Sequence, residues 1–152
     1  MIGKNRQWLW TLTAVIYTGF IFHNSMTPAT ESSRQSGAVL SMVLGMLNGM
    51  GLNGSWVTEH LIRKTAHFAE YFLLGVLLWS CLKSYNLPRR LWTVTQLWLA
   101  TVIPLTDETL QLFTKGRSGQ VDDVWLDIAG VITGTLAVAG IWSMRRRRRQ
   151  KG

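Results

Sequence analysis

Four long apolar runs, separated by short polar and charged segments, dominate the chain. A helix that crosses the hydrocarbon of a bilayer needs about 20 residues, with a range of about 17–25. A backbone within hydrocarbon must satisfy its own hydrogen bonds, and strand-like alternation is missing from the sequence, so the runs are predicted to be helices. The predicted membrane spans are residues 8–24, 61–82, 91–113 and 124–144.

The segment between the first two spans, residues 25–60, is too long to be a simple turn. Apolar positions recur in it at helical spacing, with polar residues between them and a methionine stripe beside them. This pattern predicts an external amphipathic helix, which either packs on the outer membrane surface or forms a lid over a lipid or drug site. The apolar positions are Val39, Leu40, Val43, Leu44 and Leu47, and the methionines are Met42, Met46 and Met50.

The length of 152 residues is that of one domain. We therefore expect a single all-α membrane domain over residues 1–152: four transmembrane helices, the external loop 25–60, and a basic tail over 145–152. The first run lacks a small-x-small cleavage pattern after it and is interpreted as a retained signal anchor. Cys81 has no second cysteine to pair with and is expected to be a packing residue.

The positive charges predict the orientation. The chain has a net charge of +8, and Lys and Arg accumulate on the cytoplasmic side of membrane helices. With both termini in the cytoplasm, eleven basic residues lie inside and five outside, and seven of the eight tryptophans fall at the two interfaces. The inner set is Lys4, Arg6, Lys83, Arg89, Arg90, Arg145 to Arg149 and Lys151, and the outer set is Arg34, Arg63, Lys64, Lys115 and Arg117.

The run Arg145 to Arg149 is interpreted as an anchor against anionic lipid, worth about 1 kcal/mol per charge. A nucleic-acid partner is not expected, because no recognition fold or aromatic platform accompanies the run.

All eight acidic residues and all three histidines fall on the outer half of this topology. Ionisable groups within a span cost at least about 2.5–3.5 kcal/mol at its centre, so they face partners or water inside the bundle. We therefore expect the polar groups of the last three spans to meet near the outer surface. The candidate catalytic residues are His67, Glu70, Asp107, Glu108, Asp123 and Asp127, and the candidate ligand-binding residues include Arg63, Lys64, Gln111 and Arg117.

Two features of the spans concern packing. Gly130-x-x-x-Gly134 is predicted to let another helix approach the fourth span closely. Pro104, one turn before Asp107, is predicted to kink the third span and to free a main-chain carbonyl there.

Several of these motifs, taken in order, resemble the VanZ-like family over about residues 8–140. The resemblance implies a polytopic protein of the cell envelope, in a family whose named member is linked to teicoplanin resistance, and it supplies no reaction. It adds Asn24 and Ser25, after the first span, to the candidate ligand-binding residues. Asp127 departs from the family, which commonly has Asn there. The matching runs are Arg63-Lys64-x-Ala66-His67-Phe68-x-Glu70-Tyr71, Asp107-Glu108-x-x-Gln111-x-Phe113, Gly116-Arg117, Asp122-Asp123 and Gly130-x-x-x-Gly134.

Three hypotheses for the polar cluster stay open. In the first, opposite charges form a structural network, Arg63 or Lys64 with Glu70 and Arg117 with Asp122 or Asp123, and loss of one partner destabilises the bundle. In the second, the protein binds, sequesters or displays an envelope lipid or a lipoglycopeptide; transport would require an oligomer, since four short helices are few for a transporter.

The third hypothesis is an enzyme that acts on a lipid-linked phosphate. His67 beside Glu70 would be an oriented general base. Arg63, Lys64 and Arg117 would hold the phosphate. The carboxylates of Asp107, Glu108, Asp123 and Asp127 would hold a divalent cation, which is the one cofactor that the sequence indicates.

Overall fold

The computed structural model describes residues 4–151, and this part of the chain consists of five helices without a strand. The all-α prediction is therefore confirmed. Residues 1–3 and 152, the two ends of the predicted domain, lie outside the described residues. The helices are α1 (Lys4–Ser25), α2 (Ala29–Gly49), α3 (Glu59–Ser84), α4 (Arg89–Leu112) and α5 (Val121–Lys151).

The helix boundaries follow from local residue chemistry. α2 and α4 each begin directly after a proline, Pro28 and Pro88, whose fixed φ suits a helix start. α3 begins after Thr58, whose side chain accepts a hydrogen bond from the main-chain N–H of Leu61 at 3.2 Å. After α2 the chain turns through Gly51 at φ 71°, a left-handed conformation that glycine adopts without a steric cost.

The helices α1, α3, α4 and α5 form a bundle in which α1 and α4 run opposite to α3 and α5. The side chain of Gln7 donates to the carbonyl of Ser84 at 3.1 Å, and Asn24 near the other end of α1 donates to Glu70 at 2.9 Å. These contacts make α1 antiparallel to α3. The C-terminal ends of α1 and α4 therefore meet the N-terminal ends of α3 and α5, and we call this the polar end of the bundle.

The closest helix contact lies between α3 and α5. A Cβ atom added at Gly130 would lie 2.9 Å from the carbonyl oxygen of Phe68, and one added at Gly134 would collide with that of Phe72. Gly75 on α3 faces the backbone at Val131 in the same way. The predicted close approach at the Gly-x-x-x-Gly motif is thus confirmed, and it draws α5 against the helix that carries His67.

The core of the bundle is apolar and runs along its axis. Tyr71, Leu74 and Val131 are fully buried, and Cys81 is buried among core residues, as expected for a packing residue. α4 continues through the buried Pro104 as one helix.

The external segment forms the helix α2, which packs against α3 and lies over the polar end. It starts at Ala29, well before the apolar stripe that predicted it. Its methionines face away from the bundle, since Met42, Met46 and Met50 are 58%, 59% and 71% exposed. Val43 and Leu47 are half-buried on the inner side.

Two of the described helices, α3 and α5, are long and apolar enough by length and composition to cross a membrane. Only 39% and 22% of their most apolar windows are buried inside the protein, so neither is a helix enclosed by the rest of the fold. α1 and α4 are not among the helices that meet the same criterion, because polar residues lower their mean hydropathy.

Candidate functional site

A group of four ionisable side chains lies inside the polar end, where α3, α4 and α5 meet. His67 comes from α3, Asp107 and Glu108 from α4, and Asp127 from α5. One ligand atom from each of the four lies within 4.8 Å of all the others. All four were candidate site residues, and we call this group the carboxylate cluster.

The cluster is buried, and much of its hydrogen-bonding capacity is unused. Asp107 and Asp127 are 0% exposed and Glu108 is 4% exposed. None of the four oxygens of Asp107 and Asp127 has a hydrogen-bond partner among the described residues. His67 Nδ1 lies 3.6 Å from Asp127 Oδ1, which is too long for a hydrogen bond. Ser25 and Tyr71 lie near Asp107 without meeting hydrogen-bond geometry.

Glu108 is the oriented member of the cluster. Its Oε1 accepts from the side-chain amide of Gln111 at 2.7 Å, and its Oε2 accepts from the main-chain N–H of Gln120 at 3.0 Å. One bond comes from the same helix and the other from the residue before α5, so the carboxylate has a fixed direction. Gln111 thus orients Glu108 and also lines a cavity beside the cluster, and its ligand-binding role stays a prediction.

Glu70 lies outside the carboxylate cluster and has partners on α1. Asn24 donates to its Oε1 at 2.9 Å, and the hydroxyl of Tyr17 donates to its main-chain carbonyl at 3.2 Å. The expected ion pair of Glu70 with Arg63 or Lys64 is not present among the described residues. Glu70 is therefore bonded to α1, and Ser25 next to Asn24 is buried with 2% exposure.

Asp123 also lies outside the cluster. Its Oδ1 is 2.9 Å from Nζ of Lys64, in an ion pair that links α3 to the first turn of α5. Both side chains are partly exposed, at 30% and 26%. The sequence-based set of cation ligands included Asp123. In the structure, His67 and not Asp123 lies close to Asp107, Glu108 and Asp127.

Arg117 connects the α4–α5 loop to the chain between α1 and α2. Its Nε donates to the carbonyl of Thr27 at 3.0 Å, and its second guanidinium nitrogen donates to the carbonyl of Asn24 at 3.2 Å. Burial lowers the pKa of Arg117 below its ordinary value. The expected pairing with Asp122 or Asp123 is replaced by these main-chain contacts.

Two cavities open beside the cluster. The first, of about 190 Å³, is polar and lined by Arg63, Lys64 and Arg117 against one carboxylate, Asp123, and we call it the basic pocket. The second, of about 820 Å³, is an apolar groove between α1, α2 and α3. Four residues line both and therefore join them: Ser32, Arg63, His67 and Arg117. The basic pocket also contains His60, Lys64 and Gln111, and the apolar groove contains Phe20, Val39, Val43, Val57, Leu61 and Ile62.

The sequence had no direct signal for the apolar groove. Its walls come from three helices and the α2–α3 connection, so no single run of residues contains it. The nearest signal was the amphipathic pattern of α2, because Val39 and Val43 belong to both the stripe and the groove. Both interpretations of α2, packing on the membrane surface and a lid over a lipid or drug site, stay predictions.

These features define a class: an all-helical protein with apolar helices of membrane-crossing length and a buried acidic site at one end. The comparison with protein families gives the family. The VanZ/LLP1 family model matches residues 9–143, and the chain belongs to that family. It is thus a VanZ-like membrane protein, as the resemblance of its motifs implied. No curated protein and no solved structure matches the chain.

Proposed function

We propose that this protein is a multi-pass protein of the cytoplasmic membrane that binds an anionic envelope lipid, or a lipoglycopeptide, at its polar end. The observation that carries the proposal is the joining of the apolar groove to the basic pocket at Arg63, His67 and Arg117. A ligand with an apolar chain and an anionic head fits such a pair of cavities, because each part meets a surface of matching chemistry.

The proposed topology has four spans, α1, α3, α4 and α5, with both termini in the cytoplasm. The shortest, α1, has 22 residues, which at 1.5 Å per residue is about 33 Å, enough for a hydrocarbon core of about 30 Å. Large apolar side chains point outward on the helices with lower hydropathy too: Val15 on α1 is 63% exposed and Leu97 on α4 is 55% exposed. A lipid environment accounts for these faces.

The proposed orientation follows from the charges at the two ends of the bundle. The end opposite the site carries Lys83, Arg89 and the run Arg145 to Arg149. There Lys83 lies 4.5 Å from the ring centre of Trp142, a pairing of cation and aromatic ring that suits a membrane interface. The positive-inside rule puts this end in the cytoplasm and the polar end outside.

The head of the ligand would be held by Arg63, which lines both cavities and has no ion pair among the described residues. Lys64 adds positive charge, although part of it is balanced by Asp123. A phosphate or carboxylate is the head group that a guanidinium binds best. Resistance to teicoplanin would then follow from binding the antibiotic or from altering how an envelope lipid is displayed.

The experiment is a binding titration with the purified full chain in nanodiscs. We expect saturable binding of a long-chain phosphatidic acid and none of the diacylglycerol with the same chains. Arg63→Gln should weaken binding by about tenfold or more, since one charged hydrogen bond is worth about 1.5–3 kcal/mol. Arg34→Gln is the matched control, because Arg34 pairs with Glu31 on α2 and lines neither cavity.

Equal binding of the two lipids, or an unchanged affinity of Arg63→Gln, would overturn the proposal. Teicoplanin is then titrated against the bound phosphatidic acid. Saturable displacement supports a direct antibiotic site, and the absence of a saturable signal retires that part of the proposal.

A second candidate function is an enzyme that acts on a lipid-linked phosphate, and the position of His67 favours it. This imidazole lines the basic pocket and also belongs to the carboxylate cluster, so it lies between a phosphate site and a set of carboxylates. Release of phosphate from the same phosphatidic acid would support this function. His67→Ala should then abolish release while abundance and melting temperature hold; loss of all three together would support a structural network instead.

A further inference from the structure

The carboxylate cluster has an unbalanced charge. With all carboxylates ionised, Asp107, Glu108 and Asp127 contribute three negative charges and His67 at most one positive charge, so the formal charge of the group is −2 or −3. A buried carboxylate is costly unless it is hydrogen-bonded, paired or bound to a metal. A buried group of this charge is neutralised either by protons or by a bound cation.

Two nearby basic side chains are engaged elsewhere, and Arg63 forms no ion pair with the cluster among the described residues. Lys64 pairs with Asp123, and Arg117 donates to the carbonyls of Asn24 and Thr27. Over residues 4–151, the only ion-pair contact to the cluster is the 3.6 Å approach of His67 to Asp127. Protein cations thus leave most of the charge uncompensated.

The unused oxygens are a second observation, independent of the charge. Asp107 and Asp127 are completely buried, and all four of their carboxylate oxygens lack a hydrogen-bond partner within the described part of the chain. Nδ1 of His67 is buried without a hydrogen-bond partner as well. Side chains from three helices thus bring unsatisfied ligand atoms to one place.

The spacing of these atoms suits a shared ion. Ligand atoms at about 2.0–2.6 Å from one cation lie at most about 4–5 Å from each other. The four side chains place their ligand atoms within 4.8 Å. Glu108 is already oriented by Gln111 and Gln120, which is how outer partners fix a metal ligand.

We propose that His67, Asp107, Glu108 and Asp127 form a binding site for one divalent cation. Three carboxylates and one imidazole are a mixed set of oxygen and nitrogen ligands, which favours a first-row ion such as Mn²⁺ or Zn²⁺ over Ca²⁺, because Ca²⁺ takes oxygen ligands. The site joins α3, α4 and α5 at the polar end. It does not depend on the proposed lipid, since the ion binds in the bundle interior beside the basic pocket.

The test is a titration of the metal-stripped full chain in nanodiscs with Mn²⁺, followed by electron paramagnetic resonance. We expect one saturable ion per chain and a rise in melting temperature when the ion binds. Asp107→Asn and Asp127→Asn should each weaken binding by at least about tenfold and lose the rise in melting temperature. The control is Asp122→Asn, an exposed carboxylate at the start of α5 that should bind Mn²⁺ like the wild type.

No saturable binding by the folded wild-type chain, with Mn²⁺ or with Zn²⁺, would overturn the proposal, and so would unchanged binding in both Asn variants. If either variant fails to fold, His67→Gln is the replacement, and unchanged affinity in it would also count against the site. Mn²⁺ binding and phosphatidic acid binding are measured separately, so the two proposals can fail independently. The chain can bind Mn²⁺ without binding phosphatidic acid, and it can bind phosphatidic acid without binding Mn²⁺.

Discussion

Arg117 illustrates how one side chain in a short loop holds together segments that are far apart in sequence. Its guanidinium donates to two main-chain carbonyls at the end of α1 and after it, and the neighbouring Lys115 carbonyl accepts from the N–H of Ala29 at 3.2 Å. The α4–α5 loop is thereby bonded to the start of α2. The sequence predicted that Arg117 contacts a ligand. In the structure Arg117 lines both cavities and holds the chain after α1 in place.

We expect Arg117→Ala to destabilise the protein by about 1–3 kcal/mol, because two carbonyls lose their charged donors. Thermal unfolding of the purified chain in detergent measures this, with Lys115→Ala as the control, since the Lys115 side chain is exposed and only its main chain bonds to α2. A melting temperature of Arg117→Ala equal to that of Lys115→Ala would show that the contacts to Thr27 and Asn24 carry no stability.

The carboxylates of this protein divide into three environments at the scale of single residues. Glu70 accepts a hydrogen bond from Asn24, and Asp123 forms an ion pair with Lys64. The carboxylate oxygens of Asp107 and Asp127 have no hydrogen-bond partner among the described residues. All four lie in the outer half of a predicted span or directly before one. Their different partners depend on which helix lies opposite, and this is why sequence spacing could not separate the cluster from its neighbours.

At the scale of the elements, the packing of α3 against α5 controls the geometry of the site. Gly130 and Gly134 let the backbones come close enough that Phe68 and Phe72 carbonyls occupy the space of a Cβ atom. Asp127 lies one turn before Gly130, so this helix contact places its carboxylate 3.6 Å from Nδ1 of His67. Small residues therefore position the acidic side chain without touching a ligand.

We expect Gly134→Ala to destabilise the bundle by about 1–3 kcal/mol, because the new Cβ would collide with the Phe72 carbonyl and push α5 away. Gly140→Ala is the matched control on the same helix, where an added Cβ meets nothing within 4 Å and should stabilise the helix by about 0.5–1 kcal/mol. Unfolding in detergent measures both. The same substitution is thus expected to have effects of opposite sign at the two positions, and a neutral Gly134→Ala would contradict the close approach.

α2 shows a different relation between pattern and structure. Its stripe of Val39, Leu40, Val43, Leu44 and Leu47 predicted a helix, and the helix is present. The stripe could not predict that the helix starts at Ala29, because the residues from 29 to 36 are mostly polar and small. Pro28 is the residue that sets this start, and contact with α3 holds the helix over the groove.

At the scale of the whole molecule, charge separates the two ends. Acidic residues and histidines lie toward the polar end, and the arginine run of α5 extends from the other. Alternating helix directions turn a charge pattern along the chain into a charge difference across the bundle. This difference is the physical basis of the proposed orientation in the membrane.

We expect a cysteine at the exposed position 118 to react with a membrane-impermeant maleimide on intact cells, because the α4–α5 loop should face outward. The background is Cys81→Ala, and Arg148→Cys is the control that should react only after permeabilisation. Reaction of Ser118→Cys only after permeabilisation would reverse the proposed topology, and with it the side from which a lipid reaches the groove.

The sequence by itself determined the helical class, the family and the set of polar residues near one end, because hydrophobic runs and ordered motifs are properties of the chain. Which of those residues share a site was decided by tertiary structure alone. His67 and Asp127 are sixty residues apart and meet through the glycine contact of α3 with α5, while Asp123, one turn from Asp127, points to Lys64. Asp123 and Asp127 lie on the same face of α5, one turn apart, so their depth in the bundle separates them: the Asp123 side chain is 26% exposed and that of Asp127 is 0% exposed.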